Sequence, residues 1–216
     1  MPRAKDKTAV APQDDFEVQP TRARILDVGE RLVQVRGFNG FSYADVAGEL
    51  SIAKASLHYH FPTKAELGEA IVARYAERFS EALAAIDAEL THAPAKLSAY
   101  ADLYADVLRD ERMCLCGMLA AEYDTVPSSI RNAVVSFLDD NESWLTRVLD
   151  RGRQDESLHF DGASAVTARS IVSGLEGAML VARPYGAVER FETAAKQLLA
   201  SLAGIDVDAR SRRLLS

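Results

Sequence analysis

The segment KASLHYHFPTK, residues 54–64, gathers two lysines, two histidines, a tyrosine and a serine, and no acid lies between Glu49 and Glu66. These side chains are hydrogen-bond donors, and three of them carry flat apolar rings as well. Lysine reaches phosphate oxygens or a guanine edge, and hydroxyl and imidazole groups pair with base edges or backbone. The chemistry on offer is therefore recognition of a polyanion, with Lys54, Ala55, Ser56, His58, Tyr59 and His60 as its candidate face. Metal binding is a poor alternative. His58 and His60 are spaced i,i+2, which on a helix turns them roughly 200° apart. No Asp, Glu or Cys stands nearby to complete a ligand set, so no metal is expected.

A second concentration is ERMCLCGMLAAEYDTVP, residues 111–127. Met113, Cys114, Cys116, Met118 and Leu119 form a soft, polarizable surface, and Glu122 and Tyr123 add polar handles. Small-ligand pockets combine these types. Tyr100, Tyr104, Phe137, Trp144 and Met179 are further candidates for pocket lining or for plain core. Glu176 sits inside the otherwise apolar stretch ARSIVSGLEGAMLVA, where it should either pair with an arginine such as Arg183 or meet a polar group of a ligand. A thiol switch at Cys114 or Cys116 is the alternative, with Arg112 favouring the thiolate. A thiol enzyme is a remote third reading. The four histidines, at 58, 60, 92 and 159, stand in no recognisable catalytic motif. No P-loop or dinucleotide fingerprint is present, so neither an enzyme nor a cofactor is expected.

The elements that must position these groups are all helical. Ile25, Leu26, Val28, Leu32, Val33 and Val35 recur at three- and four-residue spacing from Thr21, and Gly37 closes that helix. Ser42-x-x-Asp45 is a capping box that opens a second helix to about Leu50. A tight turn at 51–53 leads to a short third helix, which Pro62 stops. Thr63-x-x-Glu66 launches a long fourth helix to about Leu90. Helical patterns continue over about 94–109, 116–123, 127–150, 163–181 and 187–202, with a loop from Gly152 to Gly162. No sustained period-two strand is found. The reading is all-α: a disordered arm over 1–18, a three-helix helix-turn-helix domain over 19–64, a bundle of about six helices over 65–205, and a frayed tail over 206–216.

Charge is divided along the same boundary. The net charge is −7, yet residues 1–64 sum to +1 and the remainder to −8. An acidic body with a near-neutral head excludes a protein that coats nucleic acid uniformly and permits one local contact face. Two cysteines one residue apart are too few for a disulfide scaffold and point to a reducing cytoplasm. No run of 18 apolar residues and no apolar core after the basic start are present, so neither a membrane span nor a secretory signal is expected.

The stretch TRARILDVGERLVQVRGFNGFSYADVAGELSIAKASLHYHFPTKAELGEAI resembles the DNA-binding domain of the TetR family of bacterial repressors. The likeness spans about residues 21–72. It includes the Ile-Leu helix ending in Arg-Gly-Phe, the Asp-Val-Ala helix, the Lys-Ala-Ser-Leu-His-Tyr-His-Phe recognition helix and the Thr-Lys-x-Glu-Leu start of the fourth helix. Ala55 stands where many members carry Gly, and His58 where many carry Tyr. The resemblance implies a double-stranded DNA operator as partner, with Lys54, Ser56, His58, Tyr59 and His60 on the recognition helix. It places Ser42 and Lys64 at flanking phosphate contacts, with Tyr43 beside them at the start of the second helix. It also implies a small-molecule inducer and a homodimer built through the last two helices.

Overall fold

A computed structural model describes residues 15–202, with side chains from Thr21 onward. Of the arm expected over 1–18, residues 1–14 lie outside the described residues, as does the tail over 206–216, while 15–18 belong to the first helix and correct that expectation. Within them the chain forms nine α-helices and one 3-10 turn, and no strand.

Helix α1, Asp15–Arg36, begins six residues before the expected Thr21. It buries Ile25, Leu26, Leu32 and Val33, the stripe read from the sequence, and stops at Gly37, whose φ is +81°. That left-handed geometry favours glycine. Helix α2, Tyr43–Leu50, is opened by the Ser42–Asp45 capping box and closed by Ser51 at φ 56°. Helix α3, Lys54–His60, follows a short turn and ends at Phe61 and Pro62. Leu57 and Phe61 point inward, where each buried side chain contributes roughly 1.5–3 kcal/mol.

Helix α4, Lys64–Glu89, is capped by Thr63, which accepts the N–H of Glu66 at 3.2 Å. It packs on α1 at its start and on α5 and α7 further along, so it belongs to both head and body. Helices α5 (Ala93–Arg109), α6 (Leu115–Ala121), α7 (Ser128–Gln154), α8 (Ser164–Ala182) and α9 (Val188–Ala200) complete the body, with a 3-10 turn at Arg183–Tyr185. α7 packs against α8, α8 against α9, and α9 returns to α5. Helix α7 overruns its expected end by one turn. Gly152, expected to start a loop, lies inside it, at a point where a side chain would collide with Leu158 and Ala93.

The body is centred on aromatic rings. Tyr75, Phe79, Tyr100, Tyr104, Phe137, Trp144 and Phe191 touch in a chain of centroid distances from 5.1 to 6.5 Å. By length and composition the segment Ser164–Tyr185 is apolar enough to cross a membrane, which the reading from apolar runs alone did not anticipate. Its inner residues Ala168, Ile171, Val172, Leu175 and Met179 are packed into the bundle. Its outer residues Val166, Ser170, Ser173, Gly177, Leu180 and Val181 form an exposed stripe of apolar and small side chains.

Candidate functional site

Helix α3 presents a divided surface. Leu57 and Phe61 anchor it, while Lys54, Ala55, His58 and Tyr59 face outward, Tyr59 with 75% of its area exposed. Ser56 and His60 are half-buried at the edges of that face. The outward residues are not loose. His58 Nδ1 lies 3.1 Å from the carbonyl of Pro62, and its ring packs 4.8 Å from that of Tyr43. Tyr43 donates its hydroxyl to the carbonyl of Phe61 at 2.7 Å, tying α2 to the end of α3. Burial, then the Glu66 carboxylate, push the Tyr43 phenol up to about 12. Ser42 is exposed, but its hydroxyl donates to Asp45 at 2.6 Å and accepts the N–H of Ala44 at 3.2 Å. The Ser42 hydroxyl and the Ser42 N–H, both donating to Asp45, hold its carboxyl below the ordinary range.

Lys64 departs from the role expected of it. Its ammonium donates to the carbonyls of Phe38 and Phe41, each at 2.5 Å, and sits over both rings. Burial pushes its pKa below the ordinary lysine value. It closes the loop between α1 and α2 from beneath and is no free phosphate clamp. The reason is local: that loop exposes two carbonyls without helical partners, and the first residue of α4 is within reach.

Glu122 departs as well. It caps α6 and turns away from the body toward the head, where its carboxylate accepts the N–H of Phe38 at 2.5 Å and that of Asn39 at 3.3 Å. Asn39 Nδ2 adds a bond to Thr125 at 2.7 Å. Tyr123 beside it is exposed, with the Arg131 guanidinium over its ring. Arg183 reinforces the same junction by donating to the carbonyl of Val35 at 2.7 Å, and so does not pair with Glu176. Buried Glu30 accepts from Arg74 at 3.1 Å and from Arg78 at 2.5 Å, fastening α1 to α4. This junction was missed in the sequence. A glutamate on the inner stripe of α1 and arginines spaced i,i+4 on α4 were the available signal.

The other expected pocket residues separate into three groups. Tyr100, Tyr104, Cys114, Leu119 and Met179 are packed inside the core. Tyr100 donates to Asn141 at 3.0 Å and meets the Tyr104 hydroxyl at 3.1 Å, so these phenols are satisfied within the bundle. Phe137 and Trp144 border an open cavity of about 360 Å³ between α4 and α7, where the Trp144 indole donates to Asp87 at 2.9 Å. Met113, Cys116, Met118 and Glu176 come together in a groove of about 320 Å³ between α6, α7 and α8.

The thiols there are not activated. Both are free and buried. Burial, then the nearby Glu176 carboxylate, push Cys114 and Cys116 well above the ordinary thiol value. Arg112 approaches Asp110 at 3.6 Å instead of lowering either thiol. Glu176 is itself pushed above the ordinary carboxyl value by burial, which the Cys114 hydrogen bond only partly opposes. Among the described residues no three His, Cys, Asp or Glu side chains cluster closely enough to hold a metal.

Comparison with known proteins agrees with the geometry. Residues 25–71 match the family model of bacterial regulatory proteins of the tetR family, and residues 93–198 match that of the tetracyclin repressor-like C-terminal domain. The chain is 26% identical over 180 residues to the HTH-type transcriptional repressor NemR of Escherichia coli strain K12, covering 81% of this chain and 89% of that protein. A TetR-family transcriptional regulator from Agrobacterium tumefaciens superposes with a TM-score of 0.84 at 28% identity, over 87% of this chain and all of that one. A TetR transcriptional regulator from Legionella pneumophila does so with a TM-score of 0.77 at 29% identity, over 90% of this chain and all of that one. With both halves matched and a three-helix reader set on a helical body, the chain belongs to the TetR family of bacterial regulatory proteins.

Proposed function

We propose that the protein is a cytoplasmic homodimeric repressor that holds an operator through two copies of α3 and is released by a small molecule bound in its body. The observation that carries the DNA contact is the outward face of α3: Lys54, Ala55, His58 and Tyr59 are exposed and free of any carboxylate, while Leu57 and Phe61 anchor the helix beneath. Ser56 and His60 flank this face, and Ser42 and Tyr43 stand beside it at the start of α2. Such a helix enters the major groove with its N-terminal end leading, and a two-fold dimer reads two half-sites about 34 Å apart.

The exposed stripe of α8 supports the dimer. Val166, Leu180 and Val181 are each more than half exposed on one face, a pattern that a second copy would cover. In α9 the large apolar residue Phe191 is turned inward, so α8 leads this interface and α9 flanks it.

Release follows as a population shift. Helix α4 runs from the end of α3 into the body, and Glu122 ties α6 to the loop under α2. A ligand that favours another position of α4 or α6 thereby alters the spacing of the two α3 helices. Releasing DNA by roughly 30- to 1,000-fold requires the ligand to favour that state by about 2–4 kcal/mol. A thiol switch at Cys114 or Cys116 is the weaker reading, because burial and Glu176 hold both groups as thiols.

The test is retardation of labelled DNA from upstream of the protein's own gene. Binding that weakens steeply with salt and is weakened in Tyr59→Ala supports the reading. Retention of full affinity by Tyr59→Ala, or indifference to salt, rules it out.

A further inference from the structure

The groove between α6, α7 and α8 has a one-sided chemistry. Its walls are apolar or soft, built from Met113, Cys116, Met118, Leu138, Val172 and Leu180, and its only ionisable carboxyl is Glu176. Glu176 Oε1 is buried and has no hydrogen-bond partner among the described residues. The carboxyl's neighbour is the Cys114 thiol, a weak donor. Among the described residues no lysine, arginine or histidine lines the groove. Arg183 is spent on the Val35 carbonyl and the Met118 sulfur.

A carboxyl buried in an apolar wall without a counter-ion is unfavourable in its charged form. A neutral donor would satisfy Oε1 and leave the charge uncompensated, and an anion would be repelled. A donor that also carries positive charge answers both deficits. We propose that this groove binds an organic ammonium ion, whose N–H donates to Glu176 Oε1 while its apolar body lies against the methionine and leucine walls. The assignment names the ligand class for the release reading above and rests on that reading for its consequence on DNA. A cavity of about 320 Å³ suits a molecule with one ring or a short chain. Ser173, Gly177 and Leu180 belong both to the groove and to the exposed stripe of α8, so a bound ligand would lie beside the proposed dimer contact.

The experiment is calorimetric titration of the full chain with three probes of one shape: phenylbutylamine, phenylbutanol and phenylbutyrate. The amine should bind about tenfold tighter than the alcohol, as a charge-assisted bond does relative to a neutral one, and the carboxylate should not bind. Glu176→Gln should bring the amine to the affinity of the alcohol, leave the alcohol unchanged, and keep a cooperative melt. Equal affinities for amine and alcohol, preference for the carboxylate, no binding of the amine, or undiminished amine binding in the variant each overturns the assignment. Should the variant not fold, the ranking of the three probes on the wild type decides. DNA retardation in parallel separates the two readings. An amine that binds as expected without releasing DNA supports the groove assignment and overturns the release mechanism. An amine that fails to bind overturns the assignment and leaves DNA recognition intact.

Discussion

The Glu122 carboxylate accepts the backbone N–H of Phe38 at 2.5 Å, a bond that joins residues 84 apart in the chain and links the end of α6 to the loop between α1 and α2. Gly37, beside it, allows the approach. Its φ is +81°, and a Cβ there would lie 2.7 Å from the same carboxylate. Lys64 holds the loop from its other side through the carbonyls of Phe38 and Phe41. The head therefore rests on the body through the continuous α4, the packing of α1 on α6 and a shared apolar core, with these charged hydrogen bonds added at the loop.

Glu122→Ala should disconnect the two. Losing a charged acceptor of a backbone N–H is expected to destabilise by about 1–3 kcal/mol. The same variant should bind DNA but respond less to ligand. Urea unfolding and ligand titration of the DNA complex measure both. A variant with unaltered stability and unaltered release would show that the junction is passive.

Lys64→Gln separates a structural lysine from a phosphate contact. Because the ammonium is committed to two backbone carbonyls, the dependence of DNA affinity on salt should keep its slope while stability drops. In Lys54→Ala, on the exposed start of α3, the slope should fall by about one per protomer with little change in stability. A reversal of these two slopes would return Lys64 to the DNA surface.

Tyr59 is the most exposed ring on α3, and Tyr59→Ala should weaken specific binding by about tenfold or more with an unchanged melting temperature. Fluorescence anisotropy with specific and unrelated duplexes provides the check. Equal losses on both duplexes would mean that Tyr59 carries affinity without specificity.

Stability should respond to pH through Glu176. Burial pushes its carboxyl above the ordinary value of 4.5, so the folded chain keeps a proton that the unfolded chain has released. The contribution is complete below 4.5 and declines as pH rises through the folded value. The titratable groups around it are Cys114 just before α6, Cys116 on α6, Tyr75 on α4, and Tyr100 and Tyr104 on α5. All of these are pushed upward, so they stay neutral as Glu176 ionises. As pH rises from 4.5 through the folded value, the wild type should lose melting temperature relative to Glu176→Gln. Parallel pH profiles of the two proteins would exclude Glu176 as the source.

Leu180→Glu places a charge on the exposed stripe of α8, beside Val181 and one turn from Gly177. It should shift the protein toward monomer and abolish operator binding, since one α3 reads only half a site. Analytical ultracentrifugation at matched concentration tests this. A dimer that persists unchanged would move the interface off α8.

Much of this molecule was legible before any coordinates. The stripe of Ile25, Leu26, Leu32 and Val33, the Ser42 capping box, the Thr63 cap and the stop at Pro62 are local features. Hydrogen bonds and periodicities within a few residues determine them. The division of α3 into buried Leu57 and Phe61 and exposed Lys54, His58 and Tyr59 follows from the same periodicity.

Other features needed the tertiary structure. Gly152 reads as a loop residue and lies inside α7, where the close approach of Leu158 and Ala93, distant in sequence or beyond the helix, leaves no room for a side chain. Lys64 reads as a phosphate contact and Glu122 as a polar handle of a pocket, yet each is claimed by backbone groups far away in sequence. Met113, Cys116, Met118 and Glu176 were named from composition, but a sequence cannot say which soft residues share a cavity and which, like Tyr100 and Cys114, fill the core. Helix type and face are decided by neighbours three or four positions away, which the sequence by itself determines. The partner of a long charged side chain is decided by whichever unsatisfied group comes within reach once helices pack, and that only the tertiary structure decides.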